Sequence, residues 1–150
     1  MGQLDDERRA IESYFETAWA GRTLLRFENT RFETPTGDPP PPWVALTIRS
    51  GEQRIASLGP NALVRSVGLA IVQIFTAERT GSGVARGYAD QASDLFRDPV
   101  GSTNPRTVSY GASGPITFAT EDGRVSYAEI LGVREGWFQV NVIAPYRRSV

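Results

Sequence analysis

An α+β domain, built on a mostly antiparallel sheet flanked by two helices, is what three features of the sequence predict. Two segments, residues 5–20 and 84–97, repeat apolar side chains at helical spacing. Several other runs alternate apolar and polar residues, as half-buried strands do. Those runs follow one another through short turns containing Gly, Asp or Pro, which suits antiparallel neighbours. With 150 residues, 40% of them hydrophobic and 22% charged, the chain has the size and composition of one domain with its own core.

The first helix, residues 5–20, places Ala10, Ile11, Tyr14, Phe15, Ala18 and Trp19 on one face, with Arg9, Glu12, Ser13 and Glu16 opposite. Asp5, Asp6 and Glu7 occupy its first turn, where the helix dipole favours negative charge. Gly21 is a natural stop. Residues 24–28 form a short strand. Residues 29–42 are a loop that contains Thr34-Pro35-Thr36-Gly37-Asp38 and then Pro39 to Pro42. Consecutive prolines cannot donate backbone hydrogen bonds and favour a stiff extended form. So long a loop is either a partner-binding arm or a solvated connection.

Residues 43–49 alternate, with Val44, Leu46 and Ile48 pointing one way; a turn at Ser50-Gly51-Glu52 returns residues 53–58 as a hairpin. Gly59-Pro60-Asn61 breaks the pattern. Residues 63–76 hold the most apolar strand. Ile71, Val72, Ile74 and Phe75 leave neither of its faces polar, so it is expected to be central and covered on both sides. Thr80-Gly81-Ser82-Gly83 opens the second helix, residues 84–97, whose buried face is Val84, Tyr88, Ala92, Leu95 and Phe96; Asp98-Pro99 ends it. Residues 100–113 are a polar loop. Residues 116–120 and 124–130 form a hairpin around Asp122-Gly123. Arg134-Glu135-Gly136 turns into a last strand, residues 137–143, and residues 145–150 are a short tail.

Absent residue types narrow the chemistry. The chain has no Cys and no His, which removes disulfides, thiolate nucleophiles, His-containing zinc sites and the usual neutral-pH general base. All 16 basic residues are Arg, so Schiff-base and P-loop lysines are missing too. Arg also suits subunit interfaces, because its planar fork pairs with carboxylates through two bonds. The formal net charge of -1 shows no basic excess directed at nucleic acid or an anionic membrane. Residues 1–20 are acidic and amphipathic, unlike a signal peptide. Asp6 stands where a myristoylation signal at Met1-Gly2 would need Ser or Thr. Residues 67–75 are too few to span a bilayer. The expected place of the protein is the cytoplasm where it is made.

Three constellations carry possible chemistry. Gly81-Ser82-Gly83-Val84-Ala85-Arg86-Gly87 follows a strand and opens a helix, but its third Gly is one residue late for a dinucleotide fingerprint, so a plain strand-to-helix turn is expected. Asp90, Asp94 and Asp98 recur at one-turn spacing, as a hard-cation row or, better, a solvated or subunit-facing stripe. Glu121, Asp122, Glu129 and Glu135 lie in the C-terminal hairpins, where two carboxylates can hydrolyse glycosides without histidine; nothing in the spacing selects a pair. No cofactor is expected. Among the aromatics Trp43, Phe75, Tyr110, Tyr127, Trp137, Phe138 and Tyr146, core packing is the general expectation. Trp137 shares a face with Gln139 and Asn141, opposite Phe138, Val140 and Val142, which makes it a candidate interface anchor.

From Arg31 onward the chain resembles a known family. Arg31-Phe32-Glu33-Thr34-Pro35, a loop, then Trp43-Val44 opens the likeness. It continues through Leu58-Gly59, Arg65-Ser66-Val67-Gly68 and Val72-Gln73-Ile74-Phe75 with Thr80-Gly81-Ser82-Gly83. It closes on Trp137-Phe138-Gln139-Val140-Asn141-Val142 and Pro145-Tyr146. These motifs resemble the tail terminators of long-tailed phages and prophages. Where that family often carries Pro before the Gly-x-Gly turn, this chain has Ala77-Glu78-Arg79.

The resemblance implies an antiparallel sheet flanked by two helices. It also implies a homo-oligomeric ring, usually a hexamer, that caps the tail tube, stops its polymerisation and joins the head connector, while DNA passes through the channel without specific binding. Its expected place is the head-proximal end of the virion tail, after assembly in the host cytoplasm. No catalytic residues come with it. The candidate interface residues are Arg31, Phe32, Trp43, Gly81, Gly83 and Trp137. The alternatives are another neck or head-tail joining protein; a carboxylate-dependent glycoside hydrolase using a pair among Asp90, Asp94, Glu121, Asp122 and Glu129; or a small-ligand domain, which would need a deep apolar pocket.

Overall fold

A single mixed sheet organises the protein. The computed structural model describes residues 3–55, 59, 64–109 and 114–149. Leu58, Pro60, Asn61, Leu63, Tyr110 and Gly111 lie outside the described residues. In chain order the elements are α1 (Gln3–Trp19), β1 (Leu24–Arg26), β2 (Trp43–Ile55), β3 (Val64–Ala77), α2 (Gly83–Leu95), β4 (Thr107–Ser109), β5 (Pro115–Thr117), β6 (Tyr127–Arg134) and β7 (Trp137–Ser149). The strands run in the order β1-β2-β3-β7-β5-β4, and β6 also pairs with β7. Every pairing is antiparallel except β1 with β2. The parallel pair explains the long loop at residues 27–42, since parallel neighbours need a crossover.

The predicted fold class holds, and both helices pack on one face of the sheet. That face presents Val44 and Leu46 from β2, Ala70, Val72 and Ile74 from β3, and Val140, Val142 and Ala144 from β7, all buried. Alternation along each strand delivers these residues to one side. Helix α1 contributes Ile11, Phe15 and Trp19, each at most 1% exposed, and burying each stabilises the fold by about 1.5–3 kcal/mol. Phe15 stacks with Trp19 and with Phe96, at centroid distances of 5.4 and 6.0 Å.

Several local readings are corrected. Helix α2 buries Ala85, Ala89, Ala92 and Leu95, whereas Val84 is 52% exposed. Ala92, Leu95 and Phe96 are buried as expected and Tyr88 packs against the core, so the difference is confined to the first turns, where Ala85 and Ala89 face inward in place of Val84. Residues 43–55 are one long strand with an irregularity between Ser50 and Gln53, not a hairpin; β2 pairs with β3 on both sides of it. The segments around Asp122-Gly123 form no strand ladder with each other beyond the turn, where the Thr120 N–H donates to the Arg124 carbonyl at 3.0 Å. Instead β5 and β6 both pair with β7, while residues 107–109, expected as loop, pair with β5. The expected tail is the end of β7, which reaches Ser149. A further expectation fails in part: β3 is central, but among the described residues no helix covers its other side, where Leu69 is 36% exposed.

Beyond the apolar core the helix-facing side becomes polar. Ser50 on β2, Ser66 and Gly68 on β3, and Tyr146 and Arg148 on β7 share this face by register. Glu7 of α1 reaches into them and is 2% exposed. Its carboxylate accepts from Ser66 Oγ (3.0 Å), Ser50 Oγ (3.2 Å) and Tyr146 Oη (3.0 Å), and lies 3.8 Å from Arg148. Gly68 makes the geometry possible, because a Cβ there would collide with the Tyr146 hydroxyl and ring carbon. At the opposite edge Glu28 accepts a hydrogen bond from the Ile48 backbone N–H just past the end of β1, which satisfies one donor of the open β2 edge.

Glu7→Ala is expected to destabilise the protein by about 3–5 kcal/mol, since it withdraws the carboxylate on which Arg148, Tyr146, Ser50 and Ser66 converge. Urea denaturation followed by tryptophan fluorescence measures this, and a loss below about 1 kcal/mol would contradict the network's role. Alkaline behaviour gives a second check. With neither Lys nor Cys in the chain, tyrosines dominate side-chain titration between about pH 9 and 12. Burial holds the Tyr146 hydroxyl, and that of Tyr14, above the ordinary tyrosine value. The folded state therefore keeps protons that the unfolded state releases above about pH 10. Stability is complete below that pH and falls as pH rises. Tyr146→Phe should flatten the fall; an unchanged alkaline slope would refute the assignment.

Candidate functional site: the open sheet face

The side of the sheet away from the helices carries a concentrated aromatic cluster. Trp43 on β2, Phe75 on β3 and Gln139 on β7 are in register across three strands. Trp43 and Phe75 stack at 4.1 Å, with an interplanar angle of 10°. Trp137 meets Trp43 edge-on at 6.0 Å. The 27–42 crossover brings Phe32 to within 4.9 Å of the same indole. Rings at these separations gain about 0.5–1.5 kcal/mol per pair beyond their buried area. Trp43 is buried, while Phe32, Phe75 and Trp137 are only half-buried.

Beside the cluster is an open cavity of about 490 Å³, lined by Arg26, Thr34, Trp43, Gln73, Phe75, Arg134, Glu135, Trp137 and Gln139. The open face continues away from it through Ile71, Ile143 and Leu69 to Pro145. An apolar notch of about 310 Å³ lies there between Arg49, Val67, Leu69 and Pro145.

Three of the predicted interface residues, Phe32, Trp43 and Trp137, thus meet at one place. Arg31 is exposed on the crossover next to Phe32. Gly81 and Gly83 are elsewhere: Gly81 is in the turn from β3 into α2, with a φ of +84° that favours glycine, and Gly83 is the first residue of α2. Arg26, Gln73, Phe75 and Arg134 were not among the predicted residues. Only pairing register places them around Trp43, and the hairpin expected within residues 43–58 concealed that register. A second apolar patch also escaped prediction: Ile130 and Val133 on β6 are 44% and 57% exposed, on a strand that among the described residues pairs with β7 alone.

The carboxylates considered for hydrolysis do not form a site. Glu121 is paired with Arg65 at 2.6 Å. Asp122 accepts from Thr120, a bond that holds its carboxyl below the usual range, whereas a general acid needs the opposite shift. Asp90 and Asp94 are on α2, on the helix side of the sheet, while Glu129 is paired in register with Asn141 on the open face. Asp98 lies past the end of α2 and faces Arg106 at 3.5 Å. Among the described residues no three such groups converge on a metal position.

Trp43 and Trp137 should separate into a structural and an exposed partner. Trp43→Ala is expected to cost about 3–5 kcal/mol in chemical denaturation. Trp137→Ala should cost clearly less, because part of its surface is still in contact with solvent. Equal losses would contradict the assignment of Trp137 as the accessible member.

No family model matches the chain, and no curated protein matches it. A solved structure of a protein that carries no functional name is similar over 92% of each chain, with a TM-score of 0.59 and 15% sequence identity. At that identity the likeness establishes the architecture, an α+β fold with two helices on a mostly antiparallel sheet.

Proposed function

We propose that this protein is a non-enzymatic structural component of a phage tail, a tail terminator that assembles into a homo-oligomeric ring at the head-proximal end of the tail tube. The observation that carries the reading is the one-sided sheet. Helices cover one face, and the other presents a half-buried aromatic cluster with an open cavity. A closed ring needs two different, complementary surfaces on each subunit. A helix layer on one side and an aromatic sheet face on the other supply two such surfaces. The sequence motifs that resemble tail terminators include Phe32, Trp43, Phe75 and Trp137, which are the residues that gather on that face.

The charge supports the same reading. Sixteen basic and 17 acidic residues leave a net charge of -1. A channel with no basic excess lets DNA pass without holding its phosphates. The partners on this reading are further copies of the chain, the tail tube protein and the head connector.

Light scattering over a concentration series, with negative-stain imaging of the same sample, is expected to show closed rings of about six subunits. Added to polymerising tube protein, the rings should shorten the tubes and sit at one end of each. A protein that stays monomeric at every concentration and leaves tube length unchanged would overturn the proposal.

A further inference from the structure

Strand β6 leaves one edge of the sheet open. It pairs with β7 along one side, and among the described residues no strand pairs with its other edge. Proteins commonly blunt such an edge with Pro or Lys. Residues 127–134 contain neither, and they expose Ile130 and Val133. The strand is also irregular between Ile130 and Gly132, and this decides which residues share a face. In a regular strand, positions an odd number apart face opposite ways. Here Glu129 is opposite Asn141 and Arg134 is opposite Trp137, so both charges are on the open face of the sheet. Ile130, opposite Val140, and Val133, opposite Phe138, are on the helix side. Glu129 and Arg134 are exposed, and neither forms an ion pair among the described residues.

A strand so arranged is complementary to itself. Laid antiparallel against a second β6, about a two-fold axis between Leu131 and Gly132, Glu129 of each copy meets Arg134 of the other. On the opposite face Ile130 of each copy meets Val133 of the other. Opposite charges and apolar side chains are both stabilising cross-strand pairs. Parallel pairing in register would instead set Glu129 against Glu129 and Arg134 against Arg134, which is repulsive. We propose that β6 is a self-pairing edge, through which two copies of the chain join their sheets antiparallel in this register. The contact is isologous, so it does not close a head-to-tail ring, and it holds whether or not the ring reading does. One strand from each copy makes a small interface, so the pair is expected to be weak and reversible.

The chain has no Cys, which makes cross-linking a direct test. Ile130→Cys and Val133→Cys chains, mixed in equal amounts at high concentration and oxidised, should form mixed disulfide dimers in clear excess over the two like pairs combined. The register sets these positions opposite each other, with Cβ atoms about 4.5–5.5 Å apart. Val84→Cys, also at an exposed position but on α2, gives the yield from random collision. Mixed dimers no more abundant than that yield, or an excess of like pairs, would overturn the proposal. Sedimentation gives a second reading. Glu129→Arg and Arg134→Glu should each weaken pairing at least about tenfold, and the chain carrying both exchanges should recover most of it. Unchanged pairing in the single variants, or no recovery in the double one, would place the contact elsewhere. Rings that assemble without the mixed cross-link would remove this contact and leave the ring reading standing.

Discussion

The burial of one carboxylate constrains much of this structure. Glu7 sits near the start of α1 and is withdrawn from water by the last residues of β7. A charge so placed requires compensation, and the fold supplies it from three strands: Ser50 on β2, Ser66 on β3, and Tyr146 and Arg148 on β7. The glycine at position 68 exists in the same context, since the Tyr146 ring crosses directly over it. The network therefore fixes the register of β2, β3 and β7 at one end of the sheet and anchors α1 over it.

From that anchoring follows the asymmetry of the molecule. With α1 held at the polar end and α2 lying close through its alanines, both helices are on one side. The aromatic layer of Phe15, Trp19, Phe96 and Phe118 closes the core between them. Among the described residues nothing of comparable size covers the reverse side, where the proline-containing crossover brings Phe32 against Trp43. An apolar sheet face left half-exposed in a single chain is the physical feature most in need of a partner, and a subunit of a ring is one way to provide it.

Strand β7 is the hub of the sheet. It pairs along its length with β3, and its other edge is shared by β6 over residues 137–143 and by β5 at residues 147 and 148. This divided edge explains the misreading of the Asp122-Gly123 segment. The Asp-Gly signal for a turn is real: the Gly123 N–H donates to the Thr120 carbonyl at 3.1 Å. The strands on either side, however, find different stretches of β7 in place of each other. Local turn chemistry specifies a reversal of the chain, and it does not specify which neighbour completes the ladder.

What the sequence by itself determined was whatever depends on periodicity. The apolar face of α1, the inward set Val44, Leu46 and Ile48, and the split of β7 into Phe138, Val140 and Val142 against Trp137, Gln139 and Asn141 all follow from 3.6- and 2-residue repeats. The α+β class follows from their order along the chain. What only the tertiary structure decided was pairing between distant segments. The register that sets Phe75 and Gln139 beside Trp43, the continuity of β2 through Ser50, the bare reverse side of β3, and the destination of Glu7 all depend on contacts across tens of residues. In the sequence Glu7 is one more acidic residue in a first helical turn, favoured by the dipole. It becomes a buried anchor only because β7 brings Arg148 and Tyr146 beneath it, and such long-range contacts leave no local periodic trace.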